Sequence, residues 1–130
     1  MNIELIKTLK VLYVEDEIIL RDTTCNSLKS ILKEIVVADN GKEGLEKFKS
    51  GKFDLVISDL AMPIMGGSEM ISEIRKIDNN IPIVVTTAYG SQNEEVDSLI
   101  KIGMTDYVMK PVDIMKLVQT IDKIMEKTTN

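Results

Sequence analysis

Five short apolar runs, separated by longer stretches of mixed polarity, set the rhythm of this chain. They fall at 10–14, 35–38, 55–58, 82–87 and 105–109. Each is too brief for a helix and rich in β-branched residues, as expected of strands covered on both faces. Between them apolar residues return at roughly helical spacing. The first such stretch spans 18–32, with Ile19, Leu20, Thr23, Leu28, Ile31 and Leu32 on its apolar side. A second carries Gly44, Leu45 and Phe48, and a third Met70, Ile71, Ile74 and Ile77. A fourth, through about Lys101, offers Val96, Leu99 and Ile100, and a last carries Ile114, Leu117, Val118, Ile121, Ile124 and Met125. Residues 1–9 read as a helical turn or a loose lead-in.

The punctuation agrees with this pattern. Asp39-Asn40-Gly41 has turn chemistry, and Ser50-Gly51-Lys52, Asp78-Asn79-Asn80 and Gly103 close three helices. Pro82 stands at the first positions of its strand, where no ladder donor is needed. Ser91 with Glu94 fits a capping box opening the fourth helix, whose thin apolar content predicts one of the less stable elements. Strands alternating with helices imply an α/β domain with a parallel sheet and helices on both faces. Right-handed crossovers then leave few topologies. In such sheets ligands bind outside the carboxyl ends of the strands.

Length and composition narrow the chemistry. At 130 residues the chain has the size of a single domain, 1–130, able to bury a core without disulfides. The lone Cys25 has no partner and reads as a packing residue on a helix face. With no leader and no apolar run of membrane-spanning length, the expected location is the cytoplasm. A net charge of −5 disfavours a nucleic-acid surface, and the absence of histidine leaves acid–base and metal chemistry to carboxylates, hydroxyls, lysines and tyrosines. Carboxylate sets suit magnesium better than zinc.

The strand ends then gain meaning. Strand one ends at Glu15 and Asp16, strand three at Asp59, strand four at Thr87 and strand five at Lys110. Clustered carboxylates about 4 Å apart repel by roughly 4 kcal/mol at an effective dielectric near 20. A magnesium ion with Lys110 nearby relieves that repulsion and keeps the acids ionised. Asp59 is then a nucleophile toward phosphorus, with Thr87 donating to a phosphoryl oxygen. A cis Lys110-Pro111 bond would fix how the lysine enters.

These residues carry a resemblance. Val11-Leu12-Tyr13-Val14-Glu15-Asp16-Glu17, Asp59-Leu60-Ala61-Met62-Pro63, Thr86-Thr87-Ala88 and Tyr107-Val108-Met109-Lys110-Pro111 resemble, in order and spacing, the receiver domain of bacterial two-component response regulators, over about 9–127. The length is similar to that of the stand-alone chemotaxis-type receivers. The resemblance implies a flavodoxin-like (βα)5 fold with strand order 2-1-3-4-5. It implies Asp59 as phosphoacceptor from a sensor histidine kinase or phosphotransfer protein, with Mg²⁺ held by Asp16, by Glu15 through water, by Asp59 and by the Ala61 carbonyl. Thr87 and Tyr107 are implied as a switch pair that reshapes the face of the fourth helix, strand five and the fifth helix for an output protein. A phosphorylation-dependent dimer is among the outputs implied.

Some positions depart from the family's commonest pattern. Glu15 replaces an aspartate, and Gly66 stands where an acid is frequent. Ala61 and Tyr89 occupy positions that tune phosphate lifetime in the family; with no polar group at 61 and a ring at 89, a long-lived phosphorylated state is expected. Other readings are a receiver module of a longer DNA-binding regulator or hybrid histidine kinase, an aspartyl-phosphate phosphatase, and a flavodoxin-like cofactor binder. Haloacid dehalogenase-like phosphatases carry a second Asp where this chain has Ala61. A cofactor binder needs a phosphate-cradling loop where this chain has Glu15-Asp16-Glu17, which repels anions.

Overall fold

The computed structural model describes residues 1–88 and 94–129. The elements run α1 (Ile3–Ile6), β1 (Lys10–Val14), α2 (Ile18–Lys29), β2 (Glu34–Ala38), α3 (Gly41–Ser50), β3 (Leu55–Asp59), α4 (Gly67–Ile77), β4 (Ile83–Thr87), α5 (Glu94–Ile102), β5 (Asp106–Met109) and α6 (Ile114–Thr129). The strands form one parallel sheet in the order β2-β1-β3-β4-β5. This is the expected flavodoxin-like order. The five expected helices are α2 to α6.

The lead-in is a helical turn with structural weight. Asn2 caps α1 by accepting from the Leu5 amide, and its own amide donates to Asp122 of α6 at 2.8 Å. Ile6 and Leu9 are buried.

Alternation along the strands divides the core in two. Val11, Tyr13, Leu55, Ile57, Val84 and Val108 face a layer built from Leu28 of α2 and Leu117, Val118 and Ile121 of α6. Leu12, Val14, Val56, Ile83 and Val85 face Phe48 of α3, Met70, Ile71 and Ile74 of α4, and Val96 and Leu99 of α5. β1 and β3 are thus covered on both sides, which is why they read as continuous apolar runs. No helix among the described residues is long and apolar enough to cross a membrane.

Several sequence expectations need correction. The first helix stops at Lys29 rather than 32, and its buried positions are Thr24 and Leu28. Ile19, assigned to the apolar side, is 80% exposed, and Thr23 is also exposed. Ile77 and Ile100 likewise face outward. Strand four begins at Ile83, although the Pro82 carbonyl still accepts from the Val56 amide. Strand five begins at Asp106. Thr105 nevertheless extends its ladder: its amide donates to Ile83 O, while its hydroxyl accepts from the Ile83 amide. The Ser91 cap lies outside the described residues.

The turn signals act through specific bonds. Asn40 caps α3 by accepting from the Glu43 amide at 2.9 Å. Arg75 of α4 donates from Nε and Nη2 to the Gly103 carbonyl at the end of α5, and from Nη1 to the Asp78 carbonyl. Gly103 adopts φ +121°, a region that side chains rarely enter, and a Cβ there would meet Arg75 Nε at 2.5 Å.

Candidate functional site

β3 ends on Asp59 in the middle of the sheet, with β1 on one side and β4 on the other. The Asp59 side chain is buried, and its Oδ1 accepts from the Leu60 amide at 2.8 Å and from Lys110 Nζ at 3.0 Å. Lys110 enters past the end of β5, tied by its amide to Thr87 O at 2.7 Å, and the Lys110-Pro111 bond is cis.

β1 delivers the other acids. The Glu15 amide continues the ladder to Ala38 O, so its side chain is placed by the sheet. Glu15 is fully buried; Oε2 accepts from the Glu17 amide at 3.2 Å, whereas Oε1 has no hydrogen-bond partner and lies 3.8 Å from Lys110 Nζ. Asp16 is exposed at the mouth. One oxygen from each of Glu15, Asp16 and Asp59 falls within 4.8 Å of the others.

This arrangement carries a stored electrostatic cost. Burial, then the neighbouring Asp59 charge, pushes the Glu15 carboxyl up to about 7 against the opposing pull of Glu17 N–H and Lys110. Burial pulls the Lys110 ammonium down, but the hydrogen bond and charge of Asp59, with Glu15 and Glu17, outweigh it and hold the pKa above its ordinary value. Beneath the site, burial pushes the Tyr13 phenol up to about 12.

A small hard cation fits what is here. Three carboxylates, one of them with a buried oxygen that lacks a hydrogen-bond partner, are a donor set for magnesium, which prefers oxygen ligands at about 2.0–2.1 Å. Oxygens on opposite sides of such an ion stand about 4.2 Å apart at most. A group confined within 4.8 Å is of the size that one such ion spans.

The loop after Asp59 is shaped to leave the carboxylate reachable. The Gly67 amide donates to Leu60 O and the Gly41 amide to Met65 O, both at 2.9 Å, which staples the loop at its two ends. A Cβ on Gly67 would lie 2.3 Å from Asp59 O, and one on Gly41 would lie 2.4 Å from Met65 O. Between the staples Ile64 adopts φ +69°, an outlying conformation for a β-branched residue, while 76% exposed.

The remaining sequence candidates fall as follows. Ala61 is exposed in this loop, two residues past Asp59. Thr87 ends β4, opposite Met109 of β5, and is buried. Tyr107 pairs with Val85, on the same face of the sheet as Thr87, and packs half-buried against the α3-α4-α5 side of the core. Tyr89 lies outside the described residues. Sequence reasoning passed over the Leu60 and Glu17 amides, which carry no side-chain signal.

Comparison with known proteins points the same way. Residues 11–122 match the family model described as the response regulator receiver domain. The chain is 35% identical over 122 residues to the transcriptional regulatory protein ZraR of Klebsiella oxytoca, covering 91% of this chain and 26% of ZraR. It is 36% identical over 106 residues to the chemotaxis protein CheY of Thermotoga maritima, covering 75% of this chain and 88% of CheY. The crystal structure of the response regulator TrrA from Thermotoga maritima, in complex with Mg(2+)-BeF, superposes with a TM-score of 0.78 at 34% identity, covering 89% of this chain and 98% of that one. The chain thus spans about a quarter of the length of ZraR and most of CheY and TrrA.

Proposed function

The chain belongs to the response regulator receiver domain family, and we propose that it is a phosphorylation-activated signalling switch whose acceptor is Asp59. The observation that carries this reading is the pairing of Asp59 Oδ1 with both the Leu60 amide and Lys110. These contacts occupy Oδ1 and leave Oδ2 as the oxygen to meet phosphorus.

In the reaction, Asp59 Oδ2 forms a bond to phosphorus while the bond from phosphorus to the donor breaks. With a phosphohistidine donor, the imidazole leaves with the electron pair and takes up a proton. Lys110 neutralises charge on the transferring oxygens, and the Thr87 hydroxyl donates to one of them. Glu15 and Asp16, with Asp59 and the Ala61 carbonyl, would hold Mg²⁺. That ion would add positive charge against the phosphoryl group.

The charge and acceptor oxygens added at Asp59 bias a two-state equilibrium that Thr87 and Tyr107 carry to the α5-β5-α6 face. The partners we assign are a histidine kinase or phosphotransfer protein on the donor side and an output protein on that face, with a phosphorylation-dependent dimer as one form of output. Residues 1–130 act as a single receiver domain with its core at 9–127. It acts in the cytoplasm, turns over no external substrate, and touches neither nucleic acid nor membrane directly. A second reading, a receiver module serving further domains, is favoured by the 26% coverage of ZraR. Ala61 and Tyr89 set a long phosphate lifetime.

The test is incubation with acetyl phosphate and Mg²⁺, followed by mass spectrometry. One added phosphoryl group is expected on the wild type and none on Asp59→Asn. An equal adduct on the variant would remove Asp59 from this role.

A further inference from the structure

Asp59 has a neighbour on its β4 side that the proposed chemistry leaves unused. β3 and β4 pair with Asp59 opposite Thr86. Val84 lies in the α2-α6 half of the core and Val85 in the other, so alternation puts the Thr86 side chain on the α2-α6 face. Asp59 follows Ile57 onto that face, and Glu15 follows Tyr13. Asp59 therefore stands between Glu15 and Thr86 in one row across the sheet.

Among the described residues, these two flanking side chains hold the two buried oxygens that lack a hydrogen-bond partner, Glu15 Oε1 and Thr86 Oγ1. The first has a reason in the cation site. The second does not, because a neutral hydroxyl gains nothing comparable from the arrangement, and valine would fill the same space without burying an unpaired polar atom. Thr86 is 1% exposed, so bulk water does not satisfy it. A hydroxyl held unpaired in one form of a two-state protein is accounted for if the other form pairs it.

We propose that Thr86 is a positioning residue for the acyl phosphate, its hydroxyl donating to Asp59 Oδ1 once phosphorylation draws Lys110 away from that oxygen. The inference rests on the reading of Asp59 as phosphoacceptor and deepens it. In the unphosphorylated protein Oδ1 already receives the Leu60 amide and Lys110 Nζ, which leaves the hydroxyl no opening. In the acyl phosphate, Oδ1 is a carbonyl oxygen and the negative charge sits on the phosphoryl group. Lys110 follows that charge, and Oδ1, left with the Leu60 amide and, when bound, the cation, loses the donor on its Lys110 side. Neighbouring strands about 4.8 Å apart keep cross-strand side chains within reach, and a turn about the Cα–Cβ bond exchanges the threonine hydroxyl with its methyl.

Calorimetric titration with beryllofluoride, a phosphoryl stand-in, in the presence of Mg²⁺ tests this on the full chain. Thr86→Val is expected to raise the melting temperature of the free protein and weaken beryllofluoride binding about three- to tenfold, the range of one hydrogen bond. Thr86→Ser, which keeps the hydroxyl, is expected to bind within about twofold of the wild type. Should Thr86→Val not fold, Thr86→Ala against Thr86→Ser makes the same comparison. Equal binding by the hydroxyl-free variant and the wild type, or an equal loss in Thr86→Ser, overturns the proposal. If the wild type itself binds no beryllofluoride, or Asp59→Asn binds it equally, the reading of Asp59 falls instead.

Discussion

The α-carbon of Gly67 is pressed against the backbone of Asp59 so closely that a Cβ there would stand 2.3 Å from the Asp59 carbonyl oxygen and 3.0 Å from Leu60 Cα. The atoms met are backbone, so no side chain can yield. The first turn of α4 is thereby seated directly on the peptide of Asp59 itself.

Gly67→Ala must displace one of the two. Overpacking of this kind costs about 1–3 kcal/mol. A shift of the order of 1 Å at a reacting group lowers rates by roughly 10²-fold. We expect lower stability in urea denaturation and a slowed reaction with acetyl phosphate. An alanine variant of unchanged rate and stability would show that α4 moves without moving Asp59.

Glu15 makes stability depend on pH in a definite direction. Its folded pKa, about 7, lies above the ordinary 4.5, so its contribution is fully present below 4.5 and is lost as pH rises through 7. The difference corresponds to about 3 kcal/mol at pH 8. Glu15→Gln is therefore expected to exceed the metal-free wild type in stability at pH 8 and to converge with it near pH 4. Added Mg²⁺ should stabilise the wild type more than the variant. Denaturation curves across this pH range check both statements.

Ile64 offers a substitution of opposite sign. A left-handed conformation costs a residue with a side chain about 1–2 kcal/mol, and this side chain is mostly exposed, so little packing is lost with it. Glycine loses about 0.5–1 kcal/mol of that gain to chain entropy. Ile64→Gly is expected to stabilise the protein by about 0.5–1 kcal/mol in chemical denaturation, with the yield of phosphorylated Asp59 unchanged.

The legible parts of this molecule are those where one residue type answers one physical demand. β1 and β3 lie between two helical layers and so are apolar throughout. Carboxylates stop those runs where the strands reach the rim, and the acidic group was readable for that reason. The first helix was less legible. Its N-terminal isoleucines stand out in solvent while Thr24 is buried, so hydropathy misplaced its inner face. Backbone donors such as the Leu60 amide leave no mark in a sequence, because any residue but proline supplies one. The reason for glycine at 67 was equally hidden: a turn and a close approach use the same letter.

The guanidinium of Arg75 gives α5 a fixed fulcrum. It grips the carbonyl of Gly103 with two hydrogen bonds, while the opposite end of this nine-residue helix lies toward the carboxyl rim of the sheet where Thr87 sits. A helix of that length is about 13 Å long, so a tilt of about 10° around the pinned end sweeps the other through about 2 Å. Held at Gly103 by an arginine of another helix, α5 would answer a push at the rim by tilting about that end rather than by sliding as a whole.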